Sequence, residues 1–144
     1  MFKMNRKVEY ALMALQYIRN KNHQELTTAR EICDKYNTPF DTTAKVMQQM
    51  HHAGILNSIK GIKGGYQLSL DLKTISLLKL SELIEEKNLS MDCIHGDCDL
   101  LNSCNIASPI KKLNHYVNSF FETLSVEDLL SDDGLMHLKT ESVL

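Results

Sequence analysis

The chain has 144 residues, 43% of them hydrophobic, which fits one domain with a real core and an appended element. Residues 1–7 are polar and basic, and no apolar run approaches the ~20 residues of a membrane span, so a cytoplasmic, thiol-reducing setting without a membrane partner is expected. The formal net charge of −2 hides an asymmetry: residues 1–66 hold ten Lys/Arg against five Asp/Glu, and the remainder holds six against thirteen. Such a split suggests an N-terminal half that faces a polyanion, although ordinary surface charge of this size also occurs.

The first segment reads as a helix over Arg6–Asn20. Val8, Ala11, Leu12, Leu15 and Ile18 recur at helical spacing, and Tyr10, Ala14 and Tyr17 make much of the other side apolar, so burial on more than one face is expected. Thr28 and Glu31 then match a capping box, in which hydroxyl and carboxylate satisfy free backbone donors. The short helix that follows presents Ala29, Ile32, Cys33 and Tyr36 on one face, which assigns Cys33 to the core. Thr38 is the expected N-cap and Pro39 the first residue of a helix over 39–53, with Val46, Met47, Met50 and Ala53 inward. Its other face carries Asp41, Thr42, Lys45, Gln48, Gln49 and His52.

Two helices joined by a tight turn, the second polar and basic outside, are what helix-turn-helix DNA readers look like. Gln matches the major-groove edge of adenine and Lys that of guanine. A solvated amphipathic face would show the same pattern, and the next stretch separates the two. Gly54 ends the helix, residues 55–59 are β-rich, residues 60–65 form a lysine- and glycine-rich turn, and residues 66–70 alternate as a return strand. A helix-turn-helix followed by a hairpin with a basic tip is a winged helix. Gly64 and Gly65 are expected to supply positive φ and close approach to a phosphate or minor groove, with Lys60 and Lys63 supplying charge. The expected DNA-facing set is Thr28, Asp41, Thr42, Lys45, Gln48, Gln49, His52, Lys60, Lys63 and Gly64. A phosphate-binding loop of a nucleotide enzyme would run from strand to helix with a following Lys-Ser/Thr, which is absent.

Residues 75–86 read as a short helix capped by Ser76, with Leu77, Leu80, Leu83 and Ile84 inward. Next comes a polar loop in which Cys93, Cys98 and Cys104, three of the four cysteines, are spaced C-x4-C-x5-C. A loop this polar has no packing reason to hold cysteines. Zinc knuckles usually come as two C-x2-4-C pairs, and disulfides would leave one thiol over. Wider spacings on a loop suit an iron–sulfur cluster, with zinc or thiol redox chemistry as the competing readings. Ser108 and Pro109 begin a long helix whose Ile110, Leu113, Val117, Phe120 and Leu124 form an a/d-type seam, widened by Tyr116 and Phe121. Packing of that helix on its own domain is the alternative, but a homodimer would set two recognition helices about 34 Å apart on a two-fold-related double-stranded operator. Ser125 caps a last short helix.

The chain resembles the IscR/NsrR-type winged-helix transcription regulators. The resemblance runs over about residues 4–131 and rests on K-V-E-Y-A-L-M-A-L (7–15), H-A-G-I-L (52–56), S-I-K-G-I-K-G-G-Y-Q-L (58–68), the Cys triplet and L-S-V-E-D-L-L (124–130). It implies that Cys93, Cys98 and Cys104 bind iron in a cluster that sets DNA affinity. The first gap departs from the common spacing by one residue, so 2Fe–2S and 4Fe–4S both stay open. The IscR-type histidine ligand would fall at Ala107. The NsrR-type acidic ligand, reaching the partner's cluster, falls at Glu9, with His95 as a competing donor. The implied fold is mostly α with a small β-hairpin wing: a winged helix-turn-helix at 1–72, a connecting helix at 73–92, a cluster loop at 93–106, dimerisation helices at 107–131 and a polar tail at 132–144. The implied function is transcriptional control, most simply repression, through a cluster that senses redox state, nitric oxide or iron. A cluster-free thiol- or zinc-sensing regulator and a small iron–sulfur electron carrier are the alternatives, and no catalytic residue set stands out.

Overall fold

The computed structural model describes residues 3–86, 98–100 and 102–133. Among them the chain order is α1 (Arg6–Asn20), α2 (Ala29–Tyr36), α3 (Phe40–His52), β1 (Leu56–Ile59), β2 (Gly65–Leu68), a 3-10 turn (Leu72–Thr74), α4 (Leu77–Glu85), α5 (Ala107–Thr123) and α6 (Val126–Leu130). The fold is mostly helical with one antiparallel hairpin, as the periodicities predict, and no helix among the described residues is long and apolar enough to cross a membrane.

The Asn5 side chain caps α1 by accepting from the Lys7 amide, and the helix buries Val8, Ala11, Ala14, Leu15 and Ile18. This face packs on α3 and α4, where Val46, Met47, Met50, Leu80 and Ile84 complete the core. Ala11 and Ala14 lack bulk, so the helices can approach closely, and each large core side chain contributes roughly 1.5–3 kcal/mol by leaving water. Cys33 is buried on α2 beside Ile32 and carries a free thiol, as its place on the apolar face predicts.

The first helix of the helix-turn-helix is tied to α1 by a polar cluster. Thr28 Oγ1 accepts from the Glu31 amide at 3.2 Å, which is the expected cap. The Glu31 carboxylate in turn accepts from Tyr17 Oη and from Lys21 Nζ, both at 2.6 Å. Burial pushes the Glu31 carboxyl up, but the bonds from Lys21 and Tyr17, the Lys21 charge and the Thr28 amide outweigh it and hold the group below the usual 4.5. Tyr17 is pushed up to about 12, first by its bond to Glu31, then by desolvation and the nearby negative charge. It therefore stays a donor at any working pH; its share of the stability is present below pH 10 and fades as pH rises through about 12.

A depressed carboxyl contributes stability that is complete above its unfolded value and is lost as pH falls through the folded one. Glu31→Gln is therefore expected to cost roughly 1–2 kcal/mol near pH 7, two charge-assisted bonds being discounted for partial exposure. The gap to wild type should close as pH drops below 4.5. Urea midpoints of both proteins across pH 3–7 check this, and a gap independent of pH would contradict it.

Three boundaries differ from expectation. Thr38 does not cap α3: its hydroxyl is buried and accepts from Thr43 Oγ1 at 2.8 Å, while Pro39, with extended ψ, holds the N-cap place without a side-chain bond. Ala53 is exposed, because the chain turns at Gly54 (φ +79°) before the apolar face comes round again. The long helix begins two residues early, at Ala107, so Ser108 and Pro109 sit inside its first turn and Ile106 precedes it without a side-chain cap. Pro39 and Pro109 both lie where a backbone donor is not needed.

The C-terminal end of α5 is clamped to the body. Leu77 donates to the Leu124 carbonyl at 2.8 Å and Val126 to the Ile75 carbonyl at 2.9 Å. Arg19, at the end of α1, holds Glu127 of α6 through its Nε and Nη2, the shortest bond 2.6 Å. Leu124, expected as the last residue of the seam, is buried in this joint and belongs to the chain's own core.

Candidate DNA interface and cysteine loop

The outer face of α3 brings Asp41, Lys45, Gln48 and His52 into one exposed stripe at three- and four-residue spacing, with Thr42 half-buried at its edge. Gln49 departs from this set. Its amide nitrogen donates to Glu86 Oε1 at 3.0 Å, and its carbonyl oxygen is buried, so the side chain is turned toward the end of α4 rather than outward. His51 is also structural: Nδ1 lies 3.0 Å from the Leu56 carbonyl, and its ring meets Tyr66 edge-on.

The hairpin pairs Leu56 with Leu68, Asn57 with Gln67, Ser58 with Tyr66 and Ile59 with Gly65. Sequence reasoning missed what anchors it. Thr27 and Tyr66 exchange two backbone bonds, of 2.9 and 2.8 Å, so β2 is paired on both sides and the wing is fixed to the residue before the Thr28 cap. Thr28 thus sits beside the base of the wing, exposed, with an O–H that can donate to a phosphate. Gly65 has φ +155°, and a Cβ there would come within 2.9 Å of the Thr27 carbonyl; its lack of a side chain is what lets the bridge form.

The tip is a tight turn in which Gly64 donates to the Gly61 carbonyl at 3.0 Å, leaving Lys60, Gly61, Ile62 and Lys63 exposed. Gly61 takes the positive φ (+125°), whereas Gly64, expected to do so, does not; a Cβ on Gly64 would instead overlap the Ile59 carbonyl oxygen. Glycine is required at both positions for different reasons. A further cation escaped the sequence reading: the Arg30 guanidinium stacks 4.4 Å over the exposed Phe40 ring, where α2 meets α3. Only the contact of residues ten apart makes that pair visible.

The cysteine loop is described in part. Cys98 and Cys104 carry free, half-exposed thiols, separated by a turn in which the Ser103 amide donates to the Leu100 carbonyl at 3.0 Å. Cys93 and His95 lie outside the described residues. Among the described residues no three His, Cys, Asp or Glu gather in a way that could hold a metal ion. The donor set still suits a thiophilic group: two thiols held out of the core, unlike Cys33, on a polar segment that leads straight into α5. Glu9 is half-buried in the first turn of α1 and pairs with Arg6 at 3.1 Å, an exposed partner three residues away. Beyond the loop, α5 turns Asn114 inward and leaves Leu113, Tyr116 and Phe120 open at 49%, 72% and 42% exposure.

Residues 4–132 match the Rrf2 family, described as iron-dependent transcriptional regulators. A relative from Bacillus licheniformis, the HTH-type transcriptional regulator NsrR, is 30% identical over 120 residues, covering 81% of this chain and 78% of that protein. Among solved structures, CymR, the global cysteine regulator of B. subtilis, superposes with a TM-score of 0.69 at 20% identity, over 90% of this chain and 97% of that one. T. potens IscR does so with a TM-score of 0.64 at 12% identity, over 99% and 92%.

Proposed function

Because the chain belongs to the Rrf2 family of transcriptional regulators, we propose that it is a homodimeric DNA-binding repressor whose grip on a two-fold-related operator is set by an iron–sulfur cluster on Cys93, Cys98 and Cys104. The observation that carries the DNA part is the wing: a glycine-built turn with Lys60 and Lys63 exposed, hydrogen-bonded through Thr27 to the helix-turn-helix whose second helix exposes Lys45 and Gln48. Gln48 and Lys45 offer donors to base edges in the major groove, and Thr28, Lys60 and Lys63 offer donors to phosphates. The relatives are transcriptional regulators rather than enzymes, in keeping with the absence of a catalytic set from the sequence.

The cluster part is supported by the placement of Cys98 and Cys104 as half-exposed thiols just ahead of α5. The three thiolates would ligate it, and Glu9 of the partner subunit is the fourth ligand that the resemblance to the NsrR branch implies. Bound there, an iron–sulfur cluster would supply a centre sensitive to redox state, nitric oxide and iron supply. What this chain contributes is coupling. The loop runs into α5, and the far end of α5 is clamped to α4, α6 and α1, so the order of the loop bears on how the two heads are spaced. The effect on DNA affinity extends only as far as one loop state favours one spacing.

A second reading, a thiol- or zinc-sensing regulator without a cluster, is favoured by the likeness to CymR, which is named for cysteine regulation, and by the accessibility of the same two thiols. Iron and sulfide analysis of protein made without oxygen separates the two readings. For the DNA part, selection of bound duplexes from a random pool is expected to enrich a two-fold-related sequence. With Lys60 and Lys63 neutralising two phosphates per protomer, four per dimer, log affinity against log salt should fall with a slope of about −3.6. No enrichment and a flat salt response would overturn it.

A further inference from the structure

Ile62 stands at the summit of the wing with 107% exposure, the most open of the large hydrophobic side chains among the described residues. It occupies the second position of the turn closed by the Gly64 amide and the Gly61 carbonyl. A Cβ on Gly64 would overlap the Ile59 carbonyl oxygen, so only glycine fits the close turn that presents Ile62. A β-branched side chain is stiff at χ1, so this is a blunt, preset apolar knob rather than a flexible one. Its chain neighbours are Lys60, Gly61, Lys63 and Gly64. An apolar knob meant for a protein groove would sit among other apolar residues; this one has an exposed lysine on either side.

A narrow slot with anionic rims and an apolar lining fits that chemistry, and the minor groove of DNA is such a slot: about 6 Å wide, walled by sugars below two rows of phosphates. Guanine places an N2 amino group on its floor, while A·T pairs leave the floor clear. Apolar side chains of this size are used by other proteins as wedges there. We propose that Ile62 enters the minor groove beside each half-site, with Lys60 and Lys63 on the phosphates, and gives this regulator a preference for A·T pairs beneath the wing. The inference rests on the DNA-binding reading above and adds to it a contact that selects sequence without a hydrogen bond.

The test uses the full-length protein and a duplex selected from a random pool, with the base pairs under the wing located by hydroxyl-radical footprinting. Those pairs are then made A·T, G·C or inosine·C, inosine lacking the N2 amino group. Wild type should bind the G·C duplex about tenfold more weakly than the A·T one and recover on the inosine duplex. Ile62→Ser should bind the A·T duplex about tenfold more weakly, lose most of the G·C penalty and keep the wild-type salt slope, whereas Lys60→Ala should flatten that slope. Since Ile62 is fully exposed, its variant should melt with wild type, which separates a lost contact from a lost fold. The proposal is overturned if Ile62→Ser keeps wild-type affinity and preference, or if inosine·C behaves as G·C. If wild type itself binds no duplex, the DNA-binding reading falls first.

Discussion

Cys98→Ala protein prepared without oxygen is expected to be colourless and iron-poor, whereas wild type is expected to absorb visible light through the proposed cluster. Its operator affinity should no longer depend on iron supply, whereas that of wild type should shift by roughly 5- to 150-fold, the usual range of coupling between two sites. The reason is the economy of the donor set. Cys98 is the middle thiol of three, held half-exposed in a polar loop and free of any disulfide, so its removal leaves two cysteines eleven residues apart that cannot ligate a cluster alone. Cys33 is the control, since its thiol is buried among apolar residues of α2. Cys33→Ala should cost about 1 kcal/mol of stability through a small cavity and keep both the colour and the iron response. If Cys98→Ala keeps the visible absorption, the loop is not the site. If wild type is colourless yet responds to thiol oxidants, the second reading takes its place.

Most of this fold was legible because the helices are amphipathic and their caps are local. The spacing of Val8, Ala11, Leu15 and Ile18 sets the length and inner face of α1 without help from elsewhere, and Thr28, Ser76 and Ser125 each cap the helix that follows, as written in the chain. Where a residue has two uses, sequence cannot choose. Thr38 could satisfy an amide of α3 or the hydroxyl of Thr43, and burial beside Thr43 decides it. Gln49 lies at the edge of the outer stripe of α3, and only the nearness of Glu86, 37 residues on, draws it away. The Thr27–Tyr66 bridge joins residues 39 apart and leaves no periodic trace, yet it is what makes hairpin and helix-turn-helix one surface. The spacing of Cys93, Cys98 and Cys104 can be read along the chain as a donor set, whereas a ligand supplied by a second subunit would have no sequence distance, so Glu9 comes only from the resemblance.

Leu113→Asp is expected to convert the proposed dimer into monomers and to lower operator affinity at least a hundredfold. A helix packed only on its own domain would bury its apolar stripe, but α5 turns Asn114 inward and leaves Leu113, Tyr116 and Phe120 open in the protomer. That arrangement is intelligible if a second copy covers the stripe. An unpaired carboxylate placed in such a seam must be desolvated with nothing to compensate it, a penalty of several kcal/mol. The protomer itself should tolerate the change, because residue 113 is half open and the helix is held elsewhere, through Leu124 and Val126. Circular dichroism should therefore be unchanged while sedimentation shows one chain. Two heads that no longer act together lose the linked second half-site, which gives the loss of affinity. The same variant also discriminates between fourth ligands. If Glu9 of the partner subunit completes the cluster, the monomer should shed its iron as readily as Glu9→Ala does; if His95 completes it, the monomer should stay coloured while failing on DNA. A Leu113→Asp protein that remains dimeric and holds its operator would place the subunit contact on another surface, and would leave α5 with an exposed apolar face to be accounted for in another way.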